Sequence, residues 1–152
     1  MQRSKHKIVL ATGAFDLLHY GHLKFLEGAK KAGGLGARLF VIVARDRTVK
    51  NRKGRAPILS EDQRRVLVEA LKPVERAILG FENLNMEEVI LKLKPDIIAI
   101  GYDQDDIYSA VKSLMEQKLY KIKLVRISKF SSDNLDSSSK IKRRVIEGFD
   151  SQ

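Results

Sequence analysis

Short apolar runs alternate along this chain with longer amphipathic stretches. The runs at residues 8–12, 38–43, 76–79, 96–100 and 122–127 read as buried strands. Between them, apolar residues recur at helical spacing. Residues 21–32 carry Leu23, Leu26 and Ala29, and residues 61–71 carry Val66, Leu67 and Ala70. Residues 86–93 carry Val89, Ile90 and Leu93, residues 106–119 carry Ile107, Val111 and Leu114, and residues 138–149 carry Ile141, Val145 and Phe149. Ser60 is predicted to cap the second of these helices, with Gln63 three residues on in a capping-box pattern. Strands alternating with helices predict an α/β protein. The expectation is a single Rossmann-like domain of about five mostly parallel strands with helices on both faces. No composition break or linker interrupts the pattern, so residues 1–152 are expected to form one domain.

Composition narrows the class. With 152 residues, 43% hydrophobic and 32% charged, the chain can bury one proper core and has no signature of disorder. No apolar stretch approaches the ~18 residues of a membrane span. The N-terminal residues 1–7 are basic, but the apolar run after them is too short for a signal peptide. Cysteine is absent, which excludes disulfides, zinc-thiolate sites and cysteine nucleophiles. A cytoplasmic enzyme with no membrane partner is the expectation.

The formal net charge of +10 is unevenly spread. Arg45, Arg47, Lys50, Arg52, Lys53 and Arg55 face only Asp46, in a segment expected to be a loop. A second cluster is Lys140, Lys142, Arg143 and Arg144. Such clusters attract phosphate, on nucleic acid or on small molecules, or else are ordinary solvated surface. In open parallel sheets, ligands bind beyond the carboxyl ends of the strands at a topological switch point. Four polar or glycine-bearing groups follow the predicted strand ends: residues 13–22, 44–46, 101–103 and 128–139. All four are expected to meet at one rim.

The first group contains His19-Tyr20-Gly21-His22. Gly13 lets the chain turn out of the first strand, and Gly21 lets backbone come close to a ligand. The helix that follows offers free N–H groups and a dipole suited to phosphate. Two histidines three apart also fit a metal pair, but the third histidine, His6, precedes the strand, so a catalytic zinc site lacks ligands. Either histidine alone could be a satisfied structural residue.

The segment Thr12-Gly13-Ala14-Phe15-Asp16 through His19-Tyr20-Gly21-His22 resembles the H-x-G-H signature of the nucleotidyltransferase (cytidylyltransferase-like) superfamily. The run Asp136-Ser137-Ser138-Ser139-Lys140 resembles the serine-rich turn that opens the last helix of that family. The resemblance implies that His19 and His22 stabilise charge on the bridge between the α and β phosphates. It implies nucleotide contacts from Gly13, Ala14, Phe15, Tyr20, Gly21, Asp103, Ser137, Ser138 and Ser139. Family members usually carry Thr where Ala14 stands, so a hydroxyl contact is lost there. Serine at the last helix also reads simply as an N-cap, and both roles can hold at once. Asp16 stands either near a divalent ion or as a cap of its own turn. The basic partner of the triphosphate is open between Arg126, Lys129 and Lys140.

The stretch from Val41 through Arg55, then Gln63-Arg64-Arg65 and Gly101-Tyr102-Asp103-Gln104, is similar to the archaeal-type FAD synthetases. That similarity implies transfer of AMP from ATP to the phosphate of FMN, giving FAD and pyrophosphate. Asp16, Lys50, Lys53, Arg55 and Arg126 would then serve the acceptor and the transferring phosphoryl group. The implied cofactor is a divalent cation, Mg²⁺, bound with ATP, and the implied assembly is a homodimer. The alternative acceptor is glycerol-3-phosphate or a similar phosphate with CTP as donor. A nucleic-acid-binding domain is the alternative from another class. It is suggested by the charge, but no helix-turn-helix pattern is present and aromatics make up only 7%.

Overall fold

Strands and helices interleave in a computed structural model that describes residues 6–80, 85–130 and 135–150. In order they are β1 (Ile8–Gly13), α1 (Tyr20–Ala32), β2 (Arg38–Val43), α2 (Asp46–Lys53), α3 (Glu61–Glu69) and β3 (Arg76–Leu79). There follow α4 (Met86–Leu93), β4 (Ile97–Gly101), α5 (Asp105–Lys118), β5 (Lys123–Ile127) and α6 (Ser138–Asp150). The five strands form one parallel sheet in the order β3-β2-β1-β4-β5. Consecutive strands run outward from β1 to β3, and the chain then crosses back to lay β4 on the other side of β1. The switch point therefore lies between β1 and β4.

Alternation along each strand supplies two cores. Val9 and Ala11 face one way, with Leu39, Val41, Leu26 and Ala29 of α1 and Val68 of α3. Leu10 faces the other way, with Ile98, Ile100, Val89 and Ile90 of α4 and Val111 of α5. A side chain such as Leu26, fully buried, contributes about 2–3 kcal/mol. Both faces of the sheet are thus covered, as central parallel strands require.

Two sequence expectations change. Residues 45–55, expected as a loop, contain helix α2, which ends on Gly54 in the left-handed conformation at φ 73°. Lys and Arg are good helix formers, and a glycine just past the last turn is a helix stop signal. With Val49 as its one buried residue, α2 has almost no apolar periodicity to betray it. In α3 the buried face is not the one carrying Val66, Leu67 and Ala70, since Val66 and Leu67 are exposed. It is the face of Arg64 and Val68, both 0% exposed. Arg64 occupies a core position because each nitrogen of its guanidinium is bonded. It donates to the Leu59 carbonyl at 3.0 Å, to the Ala14 carbonyl at 2.6 Å and to the Asp46 carboxylate at 2.6 Å. The stripe of α6 is present as predicted, but Val145 and Phe149 on it are exposed.

Arg64→Leu is expected to lower unfolding stability by about 3 kcal/mol, because it strands two partly buried carbonyls and Asp46. Chemical denaturation of the two proteins measures it.

Candidate active site

The turn after β1 is strained. Phe15 and Leu17 stand in the left-handed region at φ 54° and φ 50°, a conformation that costs a non-glycine residue about 1–2 kcal/mol. Gly13, expected to make the turn, instead makes room beneath it: a Cβ there would lie 2.8 Å from the Phe15 ring. Phe15 is buried, Arg64 holds the Ala14 carbonyl, and Asp16 holds the rest. The Asp16 carboxylate accepts from the Ile58 N–H at 2.9 Å and the Leu59 N–H at 3.0 Å, with Lys142 Nζ 3.4 Å away. Burial opposes its charge, but the Leu59 and Ile58 N–H groups and Lys142 hold its carboxyl below the usual range. Both oxygens of Asp16 are therefore occupied by the fold. The cap of its own turn expected from the sequence is not what forms: the N–H partners belong to the segment before α3, 42 and 43 residues further along the chain.

The strained turn delivers His19 and His22 to the first turn of α1. Their rings stack with centroids 3.7 Å apart. The His22 Nδ1 accepts from the His19 backbone N–H at 3.3 Å, so in the neutral ring the proton sits on Nε2. Burial pushes the His22 pKa down from 6.5 to about 3; His19 and Lys53 add to the shift and Asp16 opposes it. Burial also lowers the His19 pKa, against the pull of Asp136. The buried Nδ1 of His19 has no partner among the described residues. At neutral pH the two rings are uncharged and present N–H donors. Gly21 permits the close fit around them: a Cβ there would lie 2.7 Å from the Asp136 carbonyl and 3.0 Å from the His19 ring.

Both histidines open into a cavity of about 530 Å³ above the switch point. Its lining draws on all four groups expected at the rim. Gly13, Ala14, Phe15, Asp16, His19, Gly21 and His22 come from the first, and Ala44 from the second. Gly101, Tyr102 and Asp103 come from the third, with Ser128, Ser137, Ser138 and Ser139 from the fourth. Residues 131–134 of that fourth group lie outside the described residues. Arg45 and Asp46 of the second group point into the fold instead, to the Gly80 carbonyl and Glu61 and to Arg64 respectively.

The serine turn carries the capping role and also ties α6 to the rest of the site. Ser137 Oγ accepts from the Lys140 N–H at 3.3 Å, as an N-cap does, and Ser138 Oγ donates to the Asp16 carbonyl. The first turn of α6 is thereby tied to the turn after β1. Tyr20 is 48% exposed and does not line the cavity; it packs edge-on against Phe130, which does, at 5.0 Å.

The cations are arranged differently from the sequence expectation. Helix α2 turns Arg52 and Lys53 toward the cavity, while Lys50 and Arg55 lie outside it. Arg126 lies outside too, bonded to Asp105 and the Tyr102 carbonyl and stacked 4.3 Å from the Tyr108 ring. Lys140 pairs with Asp136 at 2.6 Å, and Lys129 stands 5.6 Å over Tyr102. Sequence reasoning missed Arg52 and Phe130 as lining residues. The helical register of α2, marked by Gly54, is the signal that selects Arg52; nothing in the sequence marks Phe130. Among the described residues, no three His, Asp or Glu side chains cluster as a metal site, and no helix is long and apolar enough to cross a membrane.

The depressed pKa of His22 makes stability depend on pH. Below pH 6.5 the unfolded chain takes up a proton that the folded one refuses until about pH 3, so stability falls with pH across that window. The midpoint of thermal unfolding is expected to drop more between pH 7 and pH 5 in the wild type than in His22→Asn, as differential scanning calorimetry would read.

Known proteins match this chain over most of its length. A family model described as cytidylyltransferase-like matches residues 10–144. A FAD synthase of Methanothermobacter marburgensis is 45% identical over 144 residues, covering 95% of this chain and 88% of that protein. A FAD synthase of Thermoplasma volcanium is 43% identical over 139 residues, covering 91% of this chain and 94% of that protein. A crystal structure from Thermoplasma volcanium GSS1, described as a lipopolysaccharide core biosynthesis protein, superposes with a TM-score of 0.75 at 42% identity, covering 84% of this chain and all of that one. Matched from the first core strand through the first turns of the last helix, the chain belongs to the cytidylyltransferase-like family.

Proposed function

We propose that this protein is an FMN adenylyltransferase, moving AMP from ATP to the phosphate of FMN and releasing pyrophosphate. The observation that carries the reading is the stacked, uncharged His19–His22 pair at the N-terminus of α1, opening into the switch-point cavity. The FAD synthases among its relatives supply the choice of substrates.

In this reading an oxygen of the FMN phosphate forms a bond to the α-phosphorus of ATP. The bond from that phosphorus to the bridging oxygen breaks, and pyrophosphate leaves with the electron pair. The acceptor is already an anion, so no base is needed. What the protein supplies is alignment and charge stabilisation. The Nε2–H of His22 and an N–H of His19 donate to the bridge and its neighbouring oxygens as negative charge accumulates there. The N–H groups of the first turns of α1 and α6 take further phosphate oxygens, and Gly13, Ala14, Phe15 and Gly21 form the floor beneath them. Asp103 takes the ribose or base, with Phe130 and Ser128 on the same side. Arg52 and Lys53, rather than Lys50 and Arg55, meet the acceptor phosphate. A divalent cation would accompany the nucleotide as part of the substrate and would offset charge on the triphosphate. That suits a site whose two enclosed lining carboxylates, Asp16 and Asp136, are already bonded.

A pyrophosphate-release assay with Mg²⁺ tests this, with ATP or CTP crossed against FMN and glycerol-3-phosphate. Turnover is expected with ATP and FMN, with FAD as the product by absorbance and chromatography; turnover only with CTP and glycerol-3-phosphate overturns the substrate assignment. His19→Ala and His22→Ala are each expected to lower kcat by about 10²–10³-fold while ATP binding changes far less. Unchanged kcat in either variant removes the mechanism.

A further inference from the structure

The ladder between the two strands that flank the switch point stops early. β1 and β4 pair only as far as Ala11 opposite Ala99. β1 continues to Gly13 against β2, and β4 continues to Gly101 against β5. In the gap beyond Ala11 and Ala99 stands the carboxamide of Gln104. Its Oε1 accepts from the Gly101 N–H at 2.8 Å, and its Nε2 donates to the Thr12 carbonyl at 3.2 Å. One planar amide thus meets a donor on one strand and an acceptor on the other, as an inserted rung would.

The seat of this side chain is built for it. The Gln104 N–H donates to the Gly101 carbonyl at 3.2 Å, and its own carbonyl accepts from the Tyr108 N–H at 2.9 Å at the start of α5. A Cβ at position 101 would lie 3.1 Å from Oε1, so glycine there keeps the approach open. Directly paired strands lie about 4.8 Å apart. An amide inserted between them holds them wider without leaving the buried Thr12 carbonyl or the Gly101 N–H unpaired.

We propose that Gln104 is a positioning residue that sets the width of the nucleotide crevice. It acts through its neighbours: Thr12 leads into the turn that carries His19 and His22, and Gly101 leads into the turn that carries Asp103. The spacing of these two rims decides whether the phosphates and the ribose or base can be held at once. The proposal rests on the nucleotidyl-transfer reading of the cavity. It assigns Gln104 to the nucleotide half of the site and not to the acceptor half, since α2 makes no bond to this side chain.

Two variants separate this role from general stability. Gln104→Glu keeps the Gly101 bond but sets a carboxylate oxygen against the Thr12 carbonyl. Gln104→Met keeps the length and loses both bonds. The probe is a non-hydrolysable ATP analogue with Mg²⁺, titrated calorimetrically into wild type and both variants, alongside KM for ATP and for FMN and the thermal midpoint. The expected result is analogue binding weakened about tenfold or more in both variants, a matching rise in KM for ATP, and KM for FMN within twofold of wild type. Analogue affinity within twofold of wild type in a folded variant overturns the proposal. So does an equal rise in both KM values with a lowered thermal midpoint, which is what a purely structural glutamine would give. If Gln104→Met does not fold, Gln104→Glu decides alone. Wild type that fails to bind the analogue at all overturns the nucleotide reading itself, and the proposal with it.

Discussion

A single buried guanidinium holds the working end of this protein together. Arg64 is fully enclosed, yet its donors reach the Ala14 carbonyl, the Leu59 carbonyl and the Asp46 carboxylate. These acceptors belong to three separate places: the turn after β1, the segment before α3, and the start of α2. An arginine is rarely buried unless every donor finds a partner, because the desolvation of its charge is so unfavourable. Here the enclosure and the bonding are mutually dependent. The guanidinium is tolerable because the turn is in place, and the turn, with two left-handed non-glycine residues, persists because the guanidinium and the Asp16 carboxylate tie it down.

What that turn achieves is electrostatic preparation. It seats two imidazoles where burial keeps them neutral, one with its tautomer fixed by a backbone N–H, at the N-terminal end of a helix. Neutral donors in a half-buried site need little reorganisation when negative charge develops beside them. The positive charge stands farther out, on Arg52 and Lys53 of α2, where it can draw an anion in. Arg52 is bonded to Asp106 of α5 at 2.6 Å, so a pair from opposite sides of the switch point lines the cavity.

The first motif was readable because it is local. Gly13 through His22 sit in one turn at the end of one strand, and sequence neighbours stay neighbours there. The serine turn was readable for the same reason, its capping pattern spanning only Ser137 to Lys140. The cations were not. Residues 45–55 read as an undivided basic segment, and only the helical register of α2 separates Arg52 and Lys53 from Lys50 and Arg55. Arg126 looked suited to phosphate until its place outside the cavity, against Asp105 and the Tyr102 carbonyl, was in view.

The sequence by itself determined the strand and helix alternation, the two-sided core and the rim at which polar loops collect. Those follow from periodicities of two and about 3.6 residues, which are properties of short windows. Tertiary structure alone decided which polar groups are consumed by the fold and which are left for a ligand. Asp16, Arg64 and Gln104 are all polar residues beside the cavity, and each is committed to backbone partners 42 to 92 residues away. A hydrogen bond across such a separation leaves no trace in local pattern, because it depends on where the whole sheet brings the two groups to rest.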